Sequence, residues 1–175
     1  LRHSSAASDV YKRQARGCFV IYQQLKVARS HHEMLATYGG TEMLIIGGYT
    51  NVPKTTVTDS IERFRRDSDT GTVLEELGQL PFGGGELAAH PVPDISGGRG
   101  GTASYLVTGG FTGMSLNNGA ARIKESARAA DTPATYEIES LDGGCDLPEP
   151  RANLQIVDTG NQTLLLLGGH RYDLS

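Results

Sequence analysis

The chain has 175 residues, enough for one ordinary domain, with a net charge of −4 and a pI near 5.7. That balance is the opposite of the basic footprint of a nucleic-acid-binding surface, and no apolar run approaches the roughly 18 residues of a membrane-spanning helix. The 23 glycines, seven tyrosines and four phenylalanines, with no tryptophan, suit a turn-rich β protein. Two cysteines, Cys18 and Cys145, are too few for a disulfide framework and lack metal-ligand spacing.

Residues 1–14, LRHSSAASDVYKRQ, show neither apolar periodicity nor the apolar centre of a signal peptide. Positions 4–14 resemble a peptide that arises by translation of sequencing-adapter read-through. Residues 1–14 are therefore expected to be a non-native or disordered tail. Beyond them, Met34-Leu35-Ala36 and Met43-Leu44-Ile45-Ile46 are short apolar runs joined by Tyr38-Gly39-Gly40-Thr41, the pattern of a hairpin. The second run closes on the pair Gly47-Gly48. Ser60-Ile61-Glu62-Arg63-Phe64-Arg65 predicts a third strand, and Asp67-Ser68-Asp69-Thr70-Gly71 a turn whose side chains can bond their own backbone. Thr72-Val73-Leu74-Glu75-Glu76-Leu77 then predicts a fourth, ended by Leu80-Pro81.

The same order recurs. A strand is expected near Glu86-Leu87-Ala88-Ala89-His90-Pro91, then the turn Gly97-Gly98-Arg99-Gly100-Gly101, then Tyr105-Leu106-Val107-Thr108 closing on Gly109-Gly110. From 113 to 135 the pattern lapses into an expected insertion, in which 120–130 has high helix propensity and is locally basic through Arg122, Lys124 and Arg128. It reads either as a partner-contacting element or as a solvated spacer. Thr135-Tyr136-Glu137-Ile138 is the expected third strand, followed by the turn Leu141-Asp142-Gly143-Gly144 and the close Leu147-Pro148. A further hairpin joins Leu154-Gln155-Ile156-Val157 through Asp158-Thr159-Gly160-Asn161 to Leu164-Leu165-Leu166-Leu167, which closes on Gly168-Gly169. The three glycine pairs lie 62 and 59 residues apart, so one supersecondary unit of four short strands repeats. Such a unit cannot bury both its faces alone and must stack on its neighbours.

Three features are similar to the kelch repeat, whose units are blades of a β-propeller. They are the apolar run with its Gly-Gly, the stretch Ser60-Ile61-Glu62-Arg63-Phe64 with Asp69-Thr70-Gly71-Thr72 (compare the family's SVERYDPETGTW), and an arginine 17 or 18 residues before the glycine pair, Arg29 and Arg151. The likeness covers about residues 22–172. Val73 stands where the family has tryptophan, the second unit has no aromatic matching Phe64, and its first strand lacks the arginine. The resemblance implies an all-β, partial kelch-type propeller of about two and a half four-stranded antiparallel blades. Its expected divisions are blade-end strands over 15–37, unit one over 38–81, unit two over 82–148 and the start of the next unit over 149–175. Both ends are expected to be cut, leaving an incomplete ring.

The function that the resemblance implies is protein–protein interaction, with loops displayed to a protein or peptide partner, as in ligase adaptors or actin-associated proteins. In peptide-binding kelch proteins the residues after Gly-Gly and around the arginine line the pocket, which carries over to Arg29, Ser30, Tyr49, Phe111, Arg151 and His170. The arginines could instead simply hold adjacent loops. Gly47, Gly48, Gly109, Gly110, Gly168 and Gly169 are expected to be structural, allowing positive φ or close backbone approach. The alternative function is a piece of a propeller enzyme, galactose-oxidase-like or sialate-epimerase-like. No catalytic set, metal site or cofactor is expected: His31-His32 would point to opposite faces of a strand, and no Ser-His-Asp order, phosphate loop or carboxylate pair stands out. Gly98-Arg99-Gly100-Gly101 stands alone in a glycine turn, unlike RGG tails, and neither a nucleic acid nor a membrane is an expected partner. Asn161-Gln162-Thr163 is a glycosylation sequon that would matter in a secreted protein. The compartment stays open.

Overall fold

The computed structural model describes residues 9–13, 19–37, 40–67, 71–92, 103–126, 133–141, 144–161 and 163–171. Twelve strands are described: β1 (Asp9–Arg13), β2 (Phe19–Gln24), β3 (Glu33–Ala36), β4 (Glu42–Ile46), β5 (Ser60–Asp67), β6 (Gly71–Gln79), β7 (Ala88–Val92), β8 (Ser104–Thr108), β9 (Ala120–Glu125), β10 (Tyr136–Ser140), β11 (Ala152–Asp158) and β12 (Leu164–His170). No helix occurs among the described residues. Every strand pairing is antiparallel. The sheets are β1-β2, β3-β4-β5-β6, β7-β8-β9-β10 and β11-β12, each in chain order. Across sheets, β3, β7 and β11 lie side by side, and so do β2, β6 and β10.

Burial explains the composition of the second strand of the first unit. In β4, Leu44, Ile45 and Ile46 are all buried, because the side chains alternate between two faces and both are covered. Leu44, Ile46 and Ile61 of the first four-stranded sheet join Tyr105, Val107 and Ile123 of the second in one apolar cluster. At the side of this cluster sits a buried polar bridge. The Tyr136 hydroxyl donates to Glu42 Oε2 (2.8 Å), Arg63 lies 3.5 Å from the same carboxylate, and Arg63 Nη1 donates to the Ala134 carbonyl. The Arg63 guanidinium also pairs with Glu75 and stands 5.5 Å from the Tyr136 ring centroid.

That bridge carries a pH signature. Burial first, and then the bond to Glu42, push the Tyr136 hydroxyl far above its ordinary value of 10. As pH rises past about 10 the unfolded chain releases this proton while the native state keeps it, so stability falls with rising pH there. Tyr136→Phe is expected to cost about 1–2 kcal/mol at neutral pH, since Glu42 loses a donor. It should also flatten the alkaline decline. Urea denaturation at neutral and strongly alkaline pH reads both effects.

Three expectations need correction or placement. Ala120–Glu125 is not a helix within an insertion: it is β9, paired with β8 on one side and β10 on the other. Ala121, Ile123 and Glu125 are buried while Arg122 and Lys124 are half-buried, a period of two that tertiary pairing imposes over local helix propensity. In consequence 136–138 belongs to the fourth strand, β10, and the turn at 141–144 follows that strand rather than preceding it. The loop after Gly109-Gly110 shortens to 111–119. A strand, β1, occupies residues 9–13 of the segment expected to be a non-native or disordered tail. The glycine turn at 97–101, with its Arg99, lies outside the described residues, as do parts of the turns at 38–41, 67–71 and 141–144.

Candidate functional site

The glycine pairs fix where each connecting loop leaves its sheet. Gly47 (φ +62°) and Gly48 (φ +110°) both sit in the left-handed region. A Cβ on Gly47 would stand 2.5 Å from the Gly84 carbonyl oxygen, and one on Gly48 would stand 2.9 Å from that of Ser30. The backbone of the first unit therefore passes directly against the second, and Gly48 N donates to Gly84 O at 2.8 Å. Just after the pair, Tyr49 and Ser30 exchange backbone hydrogen bonds of 2.8 and 2.9 Å. Phe111 and Gly85 do the same at 2.9 and 3.0 Å, and His170 stands opposite Ala152 in the third unit.

One residue further on, the chain turns left-handed in every unit: His31 (φ 51°), Glu86 (φ 56°) and Asn153 (φ 58°). Their main chains form rungs from unit to unit, with Glu86 N donating to His31 O and Asn153 N to Glu86 O, both at 2.9 Å. Three non-glycine residues in this sparsely populated region each cost about 1–3 kcal/mol, which the cross-unit bonds offset.

Arg29 is the knot of the first unit. Its Nη1 donates to the carbonyls of Gly47 (2.8 Å) and Ser60 (3.0 Å), its Nη2 to Ser60 Oγ (2.6 Å), and its Nε to Val27 O (3.2 Å). It also forms a fully buried ion pair with Glu62, whose carboxylate accepts from Lys26 N (2.9 Å) and Val27 N (3.2 Å). Burial pulls the Arg29 guanidinium below its ordinary range and the Glu62 charge opposes that shift. Burial, reinforced by Arg29, also pushes His32 down, so its imidazole is neutral at pH 7. By register the second unit places Gly84 where Arg29 stands and Ala121 where Glu62 stands, so the pair is absent there as a pair. Arg151 is the counterpart in the third unit, where it reaches Glu149 at 2.9 Å.

The loops that leave the glycine pairs are braced internally. Asn51 Oδ1 accepts from Thr55 N (3.0 Å) and Thr56 N (2.9 Å), while Thr112 Oγ1 accepts from Ser115 N (3.0 Å). The two loops touch, since a Cβ on Gly113 would fall 2.4 Å from Thr55 O. Their tips present Val52 and Met114, more than four-fifths exposed. Beside them Lys54 Nζ lies 2.9 Å from His31 Nε2 and 5.7 Å from the centroid of the Tyr49 ring, and Glu86 lies between Lys54 (4.0 Å) and His170 (3.4 Å). The rim thus alternates apolar tips with charges of both signs.

The six residues expected to contact a partner fall into two groups. Arg29 (1 % exposed) and Tyr49 (2 %) are buried, so their side chains serve the loops rather than a partner. Ser30, Phe111, Arg151 and His170 retain accessible surface on one side of the molecule. Sequence reasoning missed Val52, Lys54, Glu86 and Met114, because hairpins of unequal length hide which residues are equivalent from unit to unit. Glu86 is aligned with His31 only through the Ser30/Tyr49 and Gly85/Phe111 bridges, which the folded structure supplies. All six structural glycines have positive φ. Among the described residues no group of three or more His, Cys, Asp or Glu side chains could hold a metal ion, Cys145 is exposed and unbridged, and no helix is long and apolar enough to cross a membrane. Compared with known proteins, the chain matches no family model and no curated protein.

Proposed function

We propose that this chain forms blades of a kelch-type β-propeller and acts as a protein–protein interaction module that displays its loops to a protein or peptide partner. Support for the architecture comes from the stacking order. First strands (β3, β7, β11) lie beside first strands, outer strands (β2, β6, β10) lie beside outer strands, and the bridge with its left-handed residue recurs in each unit. The observation that carries the function is the pair of self-braced, touching loops with Val52 and Met114 exposed next to Lys54. Rigid loops lose little entropy on binding, and methionine, as at the exposed Met114 tip, is among the residues enriched at interfaces.

Val52→Asp combined with Met114→Asp is expected to abolish partner capture while leaving the melting temperature within about a degree, because neither side chain packs in the fold. Photo-crosslinking from positions 52 and 114 should label the same partner, and position 160, in the hairpin turn at the opposite end of the strands, should not. Capture by the double variant at the wild-type level would overturn the proposal.

A further inference from the structure

Asn118-Gly119 is the one Asn-Gly step in the sequence, and it lies at the base of the loop that leaves Gly109-Gly110. A glycine after asparagine puts no Cβ in the way of its own amide nitrogen, which can then reach the carbonyl carbon of the asparagine side chain. Asn118 is exposed, open to the water that such a reaction consumes. Yet the groups the reaction needs are engaged. Gly119 N donates to Asn117 Oδ1 at 3.0 Å, and Asn117 Nδ2 donates to the Gly109 carbonyl at 3.3 Å, which holds the accepting side chain in place. The main chain is pinned on both sides of the step. The Asn118 carbonyl accepts from Leu147 N (2.8 Å), and the Gly119 carbonyl accepts from Gly109 N (3.2 Å) and Thr108 Oγ1 (2.9 Å). Asn117 N donates to the Gly110 carbonyl (2.8 Å). These ties are internal to residues 108–147 and do not depend on what lies beside β12.

We propose that Asn118 is a deamidation site whose rate is set by Asn117. The chemistry balances with water as the sole co-reactant. The Gly119 amide gives up its proton, and its nitrogen attacks Asn118 Cγ. The new N–C bond closes a succinimide ring as the Cγ–Nδ2 bond breaks and ammonia leaves. Water then opens the ring at either carbonyl, leaving aspartate or isoaspartate at position 118. An acceptor 3.0 Å from the Gly119 nitrogen stabilises its N–H form and disfavours the amide anion, and the pinned backbone keeps that nitrogen from swinging onto Cγ. Reaction therefore waits for local opening of 117–119, and its rate reports that opening. Both products place a negative charge beside Asn117. Isoaspartate also lengthens the main chain by a methylene between the Asn117 and Gly119 ties, so the clamp cannot close again in the same register. The site is distinct from the loop tips and stands whether or not they bind a partner.

The full chain is kept in warm, mildly alkaline buffer with and without urea, and residue 118 is followed by peptide mapping on a mass spectrometer and by isoaspartyl methyltransferase labelling. Conversion should be at least about tenfold slower in the native protein than in urea. Asn117→Ala should bring the native rate close to the urea rate. Asn117→Asp keeps an acceptor for Gly119 N but gives up the amide that donates to Gly109 O, so it should stay protected. A loop that is merely loosened would speed both variants alike. Initial rates are compared below the melting range of both, so loss of the fold cannot imitate loss of the acceptor. Asn118→Gln should abolish the mass change, and any labelling left in it belongs to Asp142-Gly143. Equal rates with and without urea, an Asn117→Ala rate no faster than wild type, or equal acceleration in the two position-117 variants would overturn the proposal. So would conversion that maps first to another asparagine.

Discussion

Glu62→Ala should lower the unfolding free energy by about 3–5 kcal/mol, the range expected when one partner of a buried ion pair is removed. The loss comes less from the missing attraction than from what remains. Arg29 would be left charged and sealed from water, and the amides of Lys26 and Val27 would lose their acceptor. Urea denaturation gives the value. Replacing both members, as Arg29→Met with Glu62→Leu, should recover the part of the loss that comes from an uncompensated buried charge, but not the part from the Lys26 and Val27 amides, which still lack an acceptor. The second unit supplies the precedent, keeping the same strand arrangement with Gly84 and Ala121 in those two places. A single-variant loss below about 1 kcal/mol would mean that water reaches Arg29 and the pair is not sealed.

The other large effect is expected at Gly47. Gly47→Ala forces a Cβ into left-handed backbone, at roughly 1–2 kcal/mol, and drives it to 2.5 Å from both the Gly84 carbonyl oxygen and Leu87 Cδ1. Backbone cannot yield cheaply, so overpacking adds about 1–3 kcal/mol and the total reaches about 2–5. Gly168→Ala is the built-in control: it occupies the same place in the third pair with φ +71°, and nothing lies within 4 Å of its would-be Cβ. It should cost only the conformational part. Equal losses at the two positions, in the same denaturation experiment, would remove the close approach between units as the reason for glycine.

Strand positions were largely legible where an apolar run ended in glycines, since a short continuous run closed by glycine has the length and ending of a strand. β4, β8 and β12 fall where those runs stand. β9 was illegible for a definite reason: Ala120, Ala121 and Lys124 favour helix when isolated, and only pairing with β8 and β10 makes them a strand. At the candidate site, the arginine at position 29 was visible but its burial was not, since its partner Glu62 lies 33 residues away and only the fold brings them together. The rim of His31, Lys54 and Glu86 left no local trace, being assembled from three loops of different lengths.

The rungs through His31, Glu86 and Asn153 are made by peptide groups alone. Alignment of one unit on the next is thus indifferent to which side chain each of these positions bears, provided the residue tolerates a left-handed backbone. A histidine, a glutamate and an asparagine already occupy the three places in this one chain. The rim is in that sense a changeable legend on a constant frame, and its chemistry can diverge between related chains without any repacking of the sheets beneath it.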